Sequence, residues 1–502
     1  MARETTTDVV VVGAGPVGLA VACGLLAHGL DVRVIDKAPA PATTSRANFL
    51  HARGSEVLDR LGALGGLPER SVRAMQITTH LGGEPVMRMQ FGDPGMRTAA
   101  PPMVISQAEV EAALRNRLAE LGGRVELDCP LTGLRQDAST VTAGIGGGGE
   151  LRGRWLVGCD GTGSSTRKSV GIGYPGARLS ERFLLADVYL DWRLDRSGTT
   201  GWIHPDGMVG AMPMPDGLWR IIAYDPGPGD LDQGALERLL YERTGHRVKV
   251  TGTVWQSEFR VHRRLADTYR RGRVFIAGDA AHAHAPFGGQ GMLTGLGDAE
   301  NLAFKLALVI RGYAGPALLD TYEAERRPLA TEVLRNTSAA TKLNIADRGV
   351  GRFLRDRVVL PLLALPSVQR RLTYQTSQLW VTYRGGPLAP RTVSMTTPRP
   401  GDRVPDQRCV RDDGHISRLY EQLGGRWAVL EPGSGRHHRE GPGLLGTAHT
   451  FLGEYVVGLR GAEMRGCDAF LVRPDGHLAW RGRDATDLAD WLKSALTVGR
   501  VR

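Results

Sequence analysis

A chain of 502 residues, 42 % of them apolar, is long enough for two or three domains with large buried cores. Its net charge of +10 comes mainly from scattered arginines, and no basic helix or aromatic-interleaved basic patch appears, which excludes a nucleic-acid partner. Five cysteines (Cys23, Cys129, Cys159, Cys409, Cys467) without a CxxC spacing exclude a disulfide framework and suit reduced thiols.

The chain enters a strand almost at once. Val9 to Val12 are four consecutive β-branched residues without period-2 alternation, the pattern of a parallel strand covered on both faces. Gly13-Ala14-Gly15-Pro16-Val17-Gly18 follows. Gly13 permits the tight turn, Gly15 lets backbone approach a pyrophosphate, and Gly18 lets the next helix sit against the strand. That helix, about residues 16–28, aims its N-terminal amides at phosphates. A second strand, 32–35, ends at Asp36, placed to accept from a ribose hydroxyl, with Lys37 beside it. This much predicts a dinucleotide ligand.

A short helix is expected around 55–61. Ser106 is a plausible N-cap with Glu109 three positions on, so a capped helix is expected there. Strands near 124–127 and 141–143 precede a glycine loop at 146–149, and the strand 155–159 delivers Asp160-Gly161.

From about Arg182 the pattern changes. Leu184, Ala186, Val188, Leu190, Trp192 and Leu194 alternate strictly, as in a half-buried strand. Two Pro-Asp-Gly turns separate short strands carrying Trp202, Met208, Met212 and Trp219, and an alternating run at 248–259 closes an antiparallel meander. One face of it is free to cover a ligand.

The strand 274–277 then delivers Gly278-Asp279-Ala280-Ala281-His282, followed by His284, Pro286, Phe287, Gly289 and Gly291. An acidic residue and flexible turns at a strand-to-helix junction suit a polyol and phosphate-bearing ligand. Together with the first glycine turn, this junction points to one flavin held between distant parts of the chain. His282 and His284 form a His-x-His pair without a third ligand in pattern, so no metal is expected.

About 80 residues after Gly291 read as helical, and a Pro/Arg/Thr-rich linker covers 387–405. A last unit has strands at 427–430, 455–459 and 469–472, a Pro474-Asp475-Gly476 hairpin, and an amphipathic helix at about 485–496.

These residues resemble the class A FAD-dependent aromatic hydroxylases, in the polyketide-hydroxylase-like branch with a thioredoxin-like C-terminal domain. The likeness rests on the first glycine turn, Gly158-Cys159-Asp160-Gly161, and the run from Arg273 to His282. Leu319 to Pro328 and Val472 to His477 support it. The resemblance implies an α/β fold: a Rossmann-like FAD-binding domain (1–177 and 262–390) with an inserted antiparallel β-sheet substrate domain (178–261), a helical connection, and a thioredoxin-like domain (398–502).

It also implies roles. Asp36 would hold the adenosine ribose, Arg46 and Gln107 the ribityl-pyrophosphate side, and Asp279 the ribityl hydroxyls. Asp160 would serve both FAD and the nicotinamide cofactor, and Pro286, Gly289, Gly291 and Met292 would pass beside the flavin ring. Gly13, Gly15, Pro16, Gly18, Lys37 and Gly278 complete the expected cofactor set. Trp202, Met212, Trp219 and Phe287 are candidates for the substrate lining, with ordinary sheet core as the alternative. No catalytic side chain is named. Leu293 and Gly297 depart from the asparagine and glutamine usual in the family.

The implied activity is an NAD(P)H- and FAD-dependent monooxygenase hydroxylating an aromatic, polycyclic polyketide-like substrate with O2 through a C4a-hydroperoxyflavin. Baeyer–Villiger insertion or epoxidation by the same flavin, and a non-catalytic aromatic-binding flavoprotein, are the alternatives. Arg167 reads equally as a phosphate contact or a solvated side chain. Without a CxxC the last unit is read as structural or as an oligomer contact, leaving a homodimer open. The immediate first strand and the lack of an 18-residue apolar span predict neither signal peptide nor membrane segment, hence a cytoplasmic protein.

Overall fold

The computed structural model of the chain describes residues 6–44, 47–72, 76–81, 83–90, 98, 101–224, 232–284, 289–345, 362, 365–389, 397–433, 443–462, 464 and 466–497. Its first sheet places Val125–Glu126, Val32–Ile35, Thr7–Val12, Glu150–Gly158, Val274–Ile276 and Arg270–Arg271 side by side. The central four run parallel in a level register: Val12 stands opposite both Ile35 and Gly158, and Gly158 opposite Ile276. Both faces are covered, as the β-branched run demands. Val9 and Val11 join the core under the helix Pro16–Ala27, whereas Val10 and Val12 pack with Ile35, Leu156 and Val274 on the other side.

The helices Pro16–Ala27, Gln107–Glu120 and Gly291–Ile310 lie on the first of these faces. Ser106 caps Gln107–Glu120 as expected, its hydroxyl accepting from the Ala108 amide at 3.2 Å.

The meander is present, within a sheet of eight strands. In order these are His282–Ala283, Lys249–Leu265, Gly176–Asp191, Trp219–Tyr224, Val209–Pro213, Gly198–Ile203, Gln76–Leu81 and Glu84–Gln90. The hairpin Gln76–Gln90 comes from outside the 178–261 segment and pairs parallel to Gly198–Ile203. Leu184, Ala186, Val188, Trp202, Val209, Trp219 and Ile221 face the helix Gln233–Thr244 in one core. The opposite face carries Phe183, Ile222, Tyr224 and Phe259, and the fully buried Arg220, whose guanidinium donates twice to Asp187 at 2.6 Å.

The C-terminal unit is a six-stranded sheet, Ile416–Arg418, Arg408–Arg411, Val456–Gly461, Trp427–Pro432, Ala469–Val472 and Leu478–Gly482. The helix Ala485–Leu496 follows, capped by Asp484. The three expected strands are thus joined by three shorter or more polar ones. The unit docks tightly: Phe304, Leu308 and Leu318 share a core with Trp427, Leu471, Trp480 and Leu492. Among the described residues no helix is long and apolar enough to cross a membrane.

Candidate active site

The level register fixes the geometry of the site. Because four parallel strands end together, the turns after Val12, Ile35, Gly158 and Ile276 emerge on one edge of the sheet, where ligands of such folds bind. Backbone bonds lace these corners: the Gly13 amide donates to Ile35 O at 2.8 Å, the Cys159 amide to Val12 O at 2.7 Å, and the Ala277 amide to Gly158 O at 3.0 Å.

The glycines divide into packed and open positions. Gly13 has φ +102°, and a Cβ there would lie 2.5 Å from the Cys159 carbonyl oxygen. On Gly18 a Cβ would lie 1.8 Å from the Gly13 carbonyl oxygen, so the helix and strand touch through bare backbone. A Cβ on Gly15, Gly161 or Gly163, in contrast, would meet nothing within 4 Å. Gly15 N-caps the helix starting at Pro16, and among the described residues no side-chain cap bond is made at that terminus. An uncapped, positively polarised terminus facing open space fits a pyrophosphate.

Asp36 accepts from the Ala14 amide at 2.6 Å and the Ala38 amide at 2.8 Å, so its carboxylate stiffens the glycine turn. Lys37 beside it is exposed. Asp160 accepts from Ser164 Oγ at 2.5 Å, the Thr166 amide at 2.9 Å and Thr166 Oγ1 at 3.1 Å, and so shapes its own loop. Asp279 is exposed between buried Gly278 and Ala280, which suits a side chain directed at a ligand's hydroxyls. Gln107 begins its helix, donates to Glu111 at 2.8 Å, and takes its place from a bond between its amide and Ala47 O. Burial raises the Glu111 carboxyl above the ordinary range, and the negative charge of Asp36 adds to the rise. Gln107, Glu111 and Asp36 therefore border the same end of the site.

Gly289 has φ +61° and its Cβ position lies 3.2 Å from Phe49, while that of Gly291 lies 3.6 Å from the His284 ring. Gln290 N-caps the Gly291 helix without a side-chain cap bond, leaving a second polarised terminus, and Met292 is buried in its first turn. Arg46, Pro286 and Phe287 lie outside the described residues.

Two expectations change. Trp202 and Trp219 belong to the sheet core: Trp192 stacks on Trp202 at 5.4 Å, and both point at the helix Gln233–Thr244. Strand alternation puts residues on one face together without saying which face meets a helix. Met212 lies on the other face, where its sulfur accepts from Asn48 Nδ2 at 3.3 Å. Arg167 is neither solvated nor open to a phosphate. It is buried, donates to Ala280 O and Thr162 O at 2.8 Å each, and stacks on Tyr174 at 3.8 Å. Tyr174 Oη in turn donates to Asp279 O at 2.8 Å, so this pair joins the Asp160 and Asp279 corners.

Asp298 is the residue sequence reasoning missed. Fully buried in the Gly291 helix, it bonds the Gly278 amide at 3.1 Å, His282 Nε2 at 2.6 Å and Arg326 Nε at 2.8 Å. Burial alone would raise its carboxyl, but His282 and Arg326 outweigh that and hold it below the ordinary range. The charged cluster Asp298, Glu300 and Lys305 within a mostly apolar helix was the available signal, since a buried carboxylate requires a cation. The same contact explains Gly297, where a Cβ would lie 2.8 Å from Arg326 Nη2. Leu293 is buried, and with Gly297 it lines a small space beside Gln378 and Tyr383. Replacing Asp298 by asparagine should cost about 3–5 kcal/mol of unfolding free energy, the scale for removing one partner of a buried pair, read from the urea midpoint.

A Rossmann-like sheet with this edge, capped by an antiparallel sheet, defines a flavoprotein oxygenase fold. The chain belongs to the FAD-dependent aromatic-ring hydroxylases: residues 6–337 match the FAD binding domain family, and residues 397–498 match the aromatic-ring hydroxylase C-terminal domain. It is 33 % identical to the rifampicin monooxygenase of Streptomyces venezuelae over 96 % of this chain and 97 % of that one. It is 34 % identical to the 6-methylpretetramide 4-monooxygenase of Streptomyces rimosus, over 95 % and 91 %. The solved anhydrotetracycline hydroxylase of Streptomyces rimosus superimposes with a TM-score of 0.80 at 31 % identity, covering 98 % of this chain and 99 % of that one. The chain is thus a flavin-dependent aromatic monooxygenase, with FAD as cofactor and NAD(P)H as co-substrate.

Proposed function

We propose that the enzyme hydroxylates a polycyclic, polyketide-like phenol. The observation that carries the cofactor assignment is the convergence of four turns on one sheet edge, with Gly15 and Gly161 open. Gly13, Gly15, Pro16 and Gly18 would cradle the pyrophosphate, and Asp36 with Lys37 the adenosine ribose. Gln107 and Arg46 would lie along the ribityl-pyrophosphate side, with Gly278 and Asp279 at the ribityl hydroxyls and Asp160 shaping the wall shared with NAD(P)H. Pro286, Gly289, Gly291 and Met292 would border the ring. Bound there, FAD supplies hydride acceptance from NAD(P)H and activation of O2.

The chain's own residues position and exclude water. The uncapped terminus at Gly291 would favour negative charge on a ring beside it, an oxyanion-type assistance of about 2–4 kcal/mol. The sheet face carrying Met212 and the Asp187–Arg220 pair would form the cover over the substrate. That face, rather than the one with Trp202 and Trp219, supports the lining reading. Relatives whose names specify tetracycline intermediates support the substrate class. In our reading the domains divide functionally as 1–177 with 262–390, 178–261 with the 76–90 hairpin, and 398–502. The protein works in the cytoplasm, and the last unit is structural or an oligomer contact.

Purified protein should be yellow, and NADPH oxidation should accelerate when a polycyclic phenol is added, with one atom from labelled O2 entering the product as a ring hydroxyl. A ring-expanded lactone or an epoxide would redirect the reading to the alternative oxygenations. NADPH consumption unaffected by any polycyclic phenol would overturn the substrate class.

A further inference from the structure

Among the described residues three that are not glycine hold a positive φ: Asp128, Asp216 and Gln378. Aspartate tolerates the left-handed region because its short carboxylate bonds locally, whereas glutamine has no such compensation. Gln378, at φ +57°, follows the helix Pro366–Thr376, where an exit of this hand is ordinarily left to glycine or asparagine. Backbone strain of this kind persists only where the surroundings over-determine it, and it concentrates at functional sites.

The surroundings of Gln378 are specific. Its side chain is buried and reaches a turn 88 residues earlier in the chain. Nε2 donates to Gln290 Oε1 at 3.2 Å and to Thr294 Oγ1 at 2.8 Å. Thr294 Oγ1 in turn donates to Gln290 O at 2.8 Å, and the Thr294 amide donates to the same oxygen at 2.9 Å. One amide thus clamps the N-cap and first turn of the Gly291 helix, a terminus that no side-chain cap bond holds among the described residues. The clamp has a fixed base. Val381 and Tyr383, just beyond Gln378, pack with Leu329 and Val333 of the helix Asp320–Ile345, and Arg326 of that helix donates to Tyr383 Oη at 3.0 Å.

We infer that Gln378 is a positioning residue for the monooxygenase reaction: by fixing Gln290 and Thr294 it sets where the amides of the Gly291 terminus stand. This rests on the reading that the flavin ring borders Gly289 to Met292. A polarised terminus stabilises developing charge only when its N–H groups are held in place beforehand. Loosening the clamp should therefore weaken that assistance without emptying the cofactor site.

Gln378→Gly is the test, because glycine adopts φ +57° without strain and so removes the amide while keeping the backbone. In the FAD-free protein, hydrogen exchange of the backbone amides at 290–296 should quicken at least about tenfold, with those at 107–120 unchanged. With FAD bound, affinity for the reduced relative to the oxidised flavin should fall about tenfold, read as a drop of about 30 mV in the two-electron midpoint potential. Thr294→Val removes the hydroxyl and keeps the shape. It should move both readouts in the same direction, and the double variant should add little to either. Should Gln378→Gly fail to fold, Thr294→Val alone decides. Unchanged exchange at 290–296, or an unchanged potential, would overturn the role of Gln378 and leave the cofactor assignment standing. Failure of the unmodified protein to retain FAD would overturn that assignment, and this role with it.

Discussion

Gly15→Val is expected to abolish flavin retention while leaving the apoprotein folded. Gly15 has φ −72° and ψ −178°, extended backbone that any residue adopts, and its Cβ direction is empty to 4 Å. The fold therefore places no steric demand on a glycine there, and the stability change should stay within about 0.5 kcal/mol. What the isopropyl group fills is the approach to an uncapped helix terminus. The FAD dissociation constant should rise at least about a hundredfold, equivalent to about 2.8 kcal/mol. Gly18→Ala is the contrasting change, because its Cβ would fall 1.8 Å from the Gly13 carbonyl oxygen and must push the helix from the strand. It should lower the melting temperature of the apoprotein itself. Circular dichroism melting and flavin fluorescence titration separate the two outcomes. Tight FAD binding by the Gly15→Val protein would show that the pyrophosphate does not lie at this turn.

These two glycines also show what a linear sequence can carry. Strand, turn and helix at 9–28 are neighbours in the chain, so spacing alone assigned Gly18 to packing and Gly15 to a ligand, and the geometry divides them in the same way. The Asp160 and Asp279 turns were legible for the same local reason. Pairings between distant segments leave no local trace. The hairpin at 76–90 completes the second sheet only by meeting Gly198–Ile203, more than a hundred residues on. For Trp202 and Trp219 the sequence left substrate lining and sheet core both open, because alternation groups residues by face without naming what each face meets; the structure places them in the core. Arg167 illustrates a further limit: an arginine near a glycine turn looks like a phosphate ligand until Ala280 O and the Tyr174 ring are found around it. The Gly297 departure likewise acquired a cause only when Arg326 appeared beside it, whereas nothing in the structure explains Leu293.

Removing Arg473 should be the most destabilising single change on the C-terminal unit. The guanidinium is fully buried and donates to Glu325 at 2.7 and 2.8 Å and to Asp475 at 2.6 and 3.1 Å, bridging the helix Asp320–Ile345 to the last hairpin. Lys305, pulled down to about 8 by burial but still charged at neutral pH, bonds Glu325 at 2.8 Å. Two cations thus balance two carboxylates. Arg473→Met leaves a net negative charge in a dry seam, a loss of about 3–5 kcal/mol against a total stability of about 5–15 kcal/mol. Arg473→Met combined with Glu325→Leu should recover part of that loss, because charge and countercharge leave together. Acid provides an independent check. Burial by itself would raise the Glu325 carboxyl, but Arg473 and Lys305 outweigh it and hold it at about 2, below its ordinary 4.5. A carboxyl depressed in the folded state contributes stability that is complete above its unfolded pKa and lost as pH falls through the folded one. For the unmodified protein this contribution should therefore hold to about pH 4.5 and vanish toward about pH 2, and Asp475, which the Arg473 charge holds well below the ordinary carboxylate range, adds to the same acid-side loss. Without Arg473 both carboxyls rise, so the acid limb of stability should begin at higher pH. Urea midpoints measured from pH 7 to pH 3 should show the two curves separated at neutrality and the variant's falling first; parallel curves would mean that Arg473 does not hold these carboxylates charged.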